Sequence, residues 1–356
     1  NGKTTSWLVW FMFIGVIPSV AGMGGLAGAV AEAGNTMLPS ISIEMWVVAC
    51  CLFTWLILYW GSYQSLENIL LAMVLLFSFI TIVIAFSMQT TEYEVSISQI
   101  SQGLTFNFPT EFLPLALAVF GFTGISYGEI MAYTYWCLEK GYAQDTSNNI
   151  EETKAWIKTM QTDVWVTVFF ITIGTLPFFF LGAGVLHYVP ELQESLANNS
   201  FWDVDVIGAL QNMFSLVLGG WAKWLFVILA FFVLFSTLLS GTAAFTRTIA
   251  DYLISTGLIL EQKETRSYLI KLIAFFIPFF SGVFYFILPN PITLLIIAGI
   301  WAAMGLPIVN IGALYLISKL DKDLQPKEST KAILWLTLML QITMALLIIY
   351  DMTVGF

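Results

Sequence analysis

Residues 112–140 read FLPLALAVFGFTGISYGEIMAYTYWCLEK. The run is long enough to cross a bilayer core, which takes about 20 apolar residues in a helix. Yet it carries Gly121, Gly124 and Gly128 and then a carboxylate, Glu129. Each glycine weakens a helix by roughly 1 kcal/mol relative to alanine. An ionised acid at membrane depth costs at least about 2.5 kcal/mol, so Glu129 must be protonated, paired with a cation, or facing water. The stretch reads as a membrane helix that breaks. Unwinding near Tyr127 to Met131 frees backbone carbonyls, which are tolerated at this depth only where they line a cavity. Glu129 adds a hard oxygen and Met131 a soft thioether. Oxygen suits Mg²⁺, Ca²⁺ and Mn²⁺, whereas sulfur favours softer transition ions. In a regular helix residues 129 and 131 point about 200° apart, so joint ligation requires the break. The plainer alternative is an intact helix, with Glu129 hydrogen-bonded to a neighbour and Met131 filling a gap.

The rest of the chain has the same character. Of 356 residues 58% are apolar and 10% charged, against just under half and about a quarter in a soluble domain. That leaves too little polar surface to clothe a globule in water. Long apolar runs predict nine transmembrane helices, at roughly 7–30, 45–60, 66–86, 112–138, 164–186, 224–254, 269–288, 292–317 and 332–350. Strands of an outer-membrane barrel would show ten-residue alternation instead. The chain is therefore expected to be an all-α integral membrane protein forming one transmembrane domain over residues 1–356. It opens at Asn1 without an initiating Met, directly before a full span, which suggests a fragment whose N-terminal part is missing.

Charge sets the orientation, because lysine and arginine collect on cytoplasmic loops. With Lys3 inside, the parity of nine spans puts Lys140, Lys154, Lys158, Arg247, Lys263, Arg266, Lys271, Lys319, Lys322, Lys327 and Lys331 inside too, and only Lys223 outside. The fragment's N-terminus is then cytoplasmic and its C-terminus external, in a membrane of bacterial inner (plasma) type. The net charge of -10 arises largely from acids on the outer loops, among them Glu32, Glu44, Glu92, Glu94, Glu111, Glu191, Glu194, Asp203 and Asp205. Such a mouth raises local cation concentration, or simply solubilises the loops. Within the third outer loop, the apolar stripe of residues 201–218 predicts a short helix on the membrane surface.

Other chemistry is sparse. Cys50, Cys51 and Cys137 all lie in spans, so no disulfide framework is expected. There is no phosphate-binding loop, no basic patch for nucleic acid and no catalytic triad, so an enzyme is not expected. Gly24 and Gly28 have the spacing that lets helices approach closely. Ser236, Ser240 and Arg247 share a face of span six, a candidate hydrophilic lining. Arg247 and Asp251 stand i,i+4 and predict a structural ion pair.

The stretch from Gly128 to Tyr133, continuing through Tyr135-Trp136-Cys137-Leu138-Glu139-Lys140-Gly141-Tyr142-Ala143, resembles the sixth helix of divergent bacterial Nramp-family divalent metal transporters. Gly61 to Glu67 is similar to that family's linker between its fourth and fifth helices, Phe235 to Ala244 to its eighth helix, and Leu306-Pro307-Ile308 to its tenth. The resemblance covers nearly the whole chain. It implies the inverted-repeat, amino-acid-transporter-like (APC superfamily) bundle with broken first and sixth helices, the visible spans being the third to eleventh. It also implies metal ligation by Met131 and by the Gly128 carbonyl, with the first-helix Asp and Asn ligands in the missing N-terminal part. The family's Met-Pro-His is here Met131-Ala132-Tyr133, and Glu129 is an added carboxylate. A hard ligand shifts preference from Mn²⁺ or Fe²⁺ toward better-hydrated Mg²⁺, and Glu129 is itself a candidate carrier of a coupled proton.

The expected function is thus secondary transport of a Mn²⁺- or Fe²⁺-like ion, coupled to protons. Gly128, Glu129 and Met131 are the candidate metal ligands, and Tyr127, Tyr133, Ser236 and Ser240 the candidate pathway residues. The partners are the lipid bilayer, the metal ion as cargo, and protons. No resident cofactor is expected. Two alternatives remain at this level: a transporter of the same fold moving an organic solute such as an amino acid, and a non-transporting membrane subunit. The second predicts a fixed ion-pair partner for Glu129.

Overall fold

The computed structural model describes residues 7–60, 63–105, 116, 119–121, 123, 125–143, 149–188, 206–260 and 264–354, and no strand occurs among them. The helices are α1 (Trp7–Ile14), α2 (Val16–Met37), α3 (Ile43–Trp60), α4 (Tyr63–Met88), α5 (Ile97–Gly103), α6 (Tyr127–Glu139), α7 (Ile150–Gly184), α8 (Val206–Leu218), α9 (Ala222–Ser255), α10 (Thr265–Ile287), α11 (Pro291–Lys319) and α12 (Glu328–Val354). Eight described stretches are long and apolar enough to cross a membrane: α1–α2 together, α3, α4, α7, α9, α10, α11 and α12. They match eight of the nine expected spans. The ninth, 112–138, contributes α6, whose 13 residues extend only about 20 Å, short of a bilayer core of about 30 Å.

The hub is α2, which packs against α3, α9, α10 and α11. Its sequence, VIPSVAGMGGLAGAVAEAGNTM, is rich in residues with almost no side chain. In lipid no hydrophobic force drives one helix onto another, so association depends on close backbone approach. The expected Gly24/Gly28 contact is present. A Cβ at Gly24 would lie 2.5 Å from the Ser281 carbonyl oxygen of α10, and one at Gly28 would enter the Tyr285 ring. Gly15 joins α1 to α2 with helical hydrogen bonds kept on both sides.

Three elements differ from expectation. α7 begins at Ile150 rather than near 164, capped by Asn149, whose side chain accepts the Glu151 N–H at 3.1 Å. Charges in its first turns mask that start in an apolarity scan. α5 interrupts the outer loop 87–111 and is closed by a reciprocal Ser96–Gln99 capping box. α8 is the short helix expected after residue 201, but its stripe is covered by protein instead of lying only on lipid. Met213 and Phe214 are fully buried, and the Phe214 ring sits 4.7 Å from that of Phe226 in α9. Residues 201–205, the linker residues Gly61 and Ser62, and the outer-loop acids Glu111, Glu191, Glu194, Asp203 and Asp205 lie outside the described residues.

At the far side of α11, α12 is held partly by polar contacts. The Asn310 Nδ2 group donates to the Leu334 carbonyl at 3.3 Å and to Gln341 Oε1 at 3.1 Å.

Candidate functional site

The break in the expected span 112–138 lies earlier than the glycine pattern suggests. The Thr123 N–H donates to the Val119 carbonyl at 2.7 Å, Ile125 and Ser126 are not helical, and α6 starts at Tyr127. Tyr127 to Met131 are therefore helical, not unwound. The reason is local: a helix start leaves N–H groups without partners, and Ser126-Tyr-Gly-Glu129 is an S-x-x-E capping sequence. Ser126 is extended, and its N–H donates to Glu129 Oε2 at 2.7 Å. Gly128 sits in the first turn of α6, so its carbonyl points along the helix instead of standing free.

With α6 regular, Glu129 and Met131 project to different sides. Glu129 is exposed and forms no ion pair among the described residues. Met131 is half-buried, and its Sδ accepts the Tyr252 hydroxyl of α9 at 3.6 Å. It packs on a buried cluster of Met12, Tyr127, Tyr252, Ala302 and Leu306, drawn from four helices. Tyr127 enters that cluster because Gly305 of α11 has no side chain; a Cβ there would stand 2.7 Å from the ring. Its hydroxyl lies 3.4 Å from Ser19 Oγ of α2. Gly305 is midway along α11, so α6 starts in the middle of the bundle and runs outward to one end.

The other pathway candidates are dispersed. Tyr133 donates to the Met160 carbonyl of α7 at 3.4 Å and borders an apolar groove of about 380 Å³ beside Ile157, Met160, Gln161, Val164 and Trp165. Ser236 and Ser240 return their hydroxyls to their own helix, at Val233 and Thr237. They lie about 24 and 18 Å along α9 from Tyr252 at 1.5 Å per residue. Tyr252 is the site residue that spacing could not reveal, since it stands 121 positions from Met131.

Beyond Met131, α6 ends in charge. Arg247 does not pair with Asp251 as its i,i+4 spacing predicts. Its guanidinium grips Glu139 at the end of α6 as a two-pronged fork, with Nη2 2.8 Å from Oε2. It also lies 4.7 Å over the Trp136 ring. Asp251 instead accepts from Arg266 of α10 at 2.9 Å. An interhelical fork with a stacked aromatic satisfies a guanidinium better than a single contact along one helix face. Just past α6, the Tyr142 hydroxyl donates to Asp163 of α7 at 2.8 Å, and that carboxylate holds the phenol proton on above its usual range.

Among the described residues no group of three His, Cys, Asp or Glu side chains converges. A family model described as natural resistance-associated macrophage protein-like, or Nramp, matches residues 1–351. No curated protein matches the chain.

Proposed function

This chain belongs to the Nramp family, and from that premise we propose that it moves Mn²⁺- or Fe²⁺-like ions across the membrane with protons as the coupling ion. Membership makes it an integral membrane transporter of divalent metal ions and not an enzyme. The finer reading rests on one observation. α6 is a half-length helix starting in mid-bundle, with Glu129 at its mouth and Met131 one half-turn further. A broken helix at such a place offers a cation unpaired backbone oxygens without requiring a preformed cage of acids. Met131 supplies sulfur, which selects transition ions over Mg²⁺ and Ca²⁺. Glu129 supplies negative charge open to the site, and in our reading carries the proton. Its lack of an ion-pair partner among the described residues favours this over a structural subunit, which would fix it.

Metal and carboxylate need not bind at once. Because Glu129 and Met131 face apart, we assign Met131 to the bound ion and Glu129 to the approach. The sidedness we propose is that of the charge pattern, with the Glu139 end of α6 cytoplasmic. The deciding experiment is Mn²⁺ uptake into proteoliposomes, with Mg²⁺ and Ca²⁺ as competitors and internal pH recorded. Saturable Mn²⁺ entry with acidification is expected. Entry blocked by Mg²⁺ without acidification would replace the reading with an uncoupled, hydrated-ion site, and no entry of any ion would remove it.

A further inference from the structure

The charges where α6 and α9 end and α10 begins offer two pairings, and the structure occupies one. Arg247 sits on Glu139, and Asp251 on Arg266. Yet Asp251 is one turn from Arg247 on the same helix, and residues four apart on a helix are neighbours at about 5–6 Å between Cβ atoms. Arg247 is anchored on α9 by a bond from Nη1 to the Ala243 carbonyl at 2.6 Å. Its guanidinium therefore has a second acceptor within reach without α9 moving at all. Tyr135 marks the same junction, its ring 5.5 Å under the Arg266 guanidinium and its hydroxyl beside Asp251.

We propose that Arg247 is an exchangeable latch. With Arg247 on Glu139, α6 is closed onto α9 and α10; with Arg247 on Asp251, α6 is released and the space beside Met131 opens at that end of the bundle. The exchange keeps Arg247 paired in both states. It transfers the exposure to Glu139 and Arg266, whose side chains are already 30% and 45% accessible. Little charge is therefore stranded away from water. Such a two-partner contact behaves as a discrete switch, in the manner of interfaces that jump between alternative packings.

α6 is suited to move. It is short, pinned at its broken start by the buried Tyr127 ring, and tied to α7 near its outer end by Tyr133–Met160 and Tyr142–Asp163. The outer end of α6 can therefore tilt about the Tyr127 anchor, with Arg247 as its charged fastening to α9 beside the Met131–Tyr252 and Tyr135–Asp251 contacts.

The test is a distance measurement between spin labels at Leu138→Cys on α6 and Tyr268→Cys on α10, both exposed in this structure, in the full chain reconstituted in nanodiscs. Glu139→Gln is expected to move the main distance outward by roughly one helical turn, about 5 Å. Asp251→Asn removes the competing acceptor and is expected to leave the short distance dominant. The opposite response of two neutralised carboxylates is the signature of exchange. The swap Glu139→Arg with Arg247→Glu rebuilds the closed pair but sets Glu beside Asp251, and should hold the short distance. If Glu139→Gln does not fold, Arg247→Lys keeps the charge but loses the fork, and should shift part of the population outward. An unchanged distribution in Glu139→Gln, or an equal outward shift in Asp251→Asn, would overturn the latch and leave a static staple. The readout is a distance, so the metal assignment can fail without deciding the outcome.

Discussion

Replacing Glu129 by Gln separates its role as a helix cap, seen in the structure, from its proposed role as a charge on the ion path. As a cap, Glu129 needs only an acceptor for the Ser126 N–H, which Oε2 meets at 2.7 Å. The Gln side-chain carbonyl can take that bond, so the cap survives and only the charge–dipole contribution is lost, about 0.3–1 kcal/mol. Thermal unfolding in detergent should thus stay near that of the parent. In the proposed role of a charge on the ion path, Glu129 has no substitute in Gln. A tenfold rise in the half-saturating Mn²⁺ concentration corresponds to about 1.4 kcal/mol, and we expect at least that, together with loss of the acidification that accompanies uptake. Glu129→Ala should add a further ~1 kcal/mol of instability, because it removes the cap as well. The pair of variants gives the comparison its force: Gln low in transport yet stable, Ala low in both. If Glu129→Gln transports and acidifies as the parent does, Glu129 is a helix cap and nothing more.

Met131→Leu keeps volume and should cost less than about 1.5 kcal/mol, while preference for Mn²⁺ or Cd²⁺ over Mg²⁺ falls several-fold in competition uptake, since the sulfur is gone. Gly28→Leu drives a side chain into the Tyr285 ring, and overpacking of about 1–3 kcal/mol or more should appear as loss of the monodisperse peak in size-exclusion chromatography. Phe214→Ala empties a fully buried position and should lower stability by about 3–5 kcal/mol. Leu216→Ala, at an exposed position of the same helix, should change it by no more than about 0.5 kcal/mol; equal effects would mean that α8 is not packed as described.

How far the sequence could be read depends on the range of the interaction concerned. Apolar run length is a property of consecutive residues, and it located all eight long helices, missing the end of α2 at Met37 and the start of α7 at Ile150, where a charged extension precedes the apolar stretch. The Gly24/Gly28 spacing is also local and pointed to a real contact. Three glycines announced that the fourth expected span, 112–138, was weak, but weakness has no register. The start of α6 is set by Ser126-x-x-Glu129, a capping signal present in the sequence but masked there by the cost of a carboxylate in lipid. Arg247 and Asp251 show the limit most clearly: their spacing is right for a pair, yet a better acceptor waits 108 positions away in the chain. Sequence spacing ranks neighbours on one helix and says nothing of competitors on another. The same holds for Tyr252 and Met131, which the fold alone brings together.

The position of α2 also bears on how the protein is made. Of the four helices that surround it, only α3 follows at once. The other three begin with α9 at Ala222, 185 residues after the end of α2 at Met37. At roughly 5–20 residues per second of synthesis, α2 waits about ten to forty seconds in the membrane before its permanent neighbours exist. During that interval a helix of glycine and alanine presents bare backbone on three sides, the very surface that other small-residue helices bind. Biogenesis, more than the finished state, is where this chain is exposed to mispairing, and an insertase or chaperone that shelters the α2–α3 hairpin would act there.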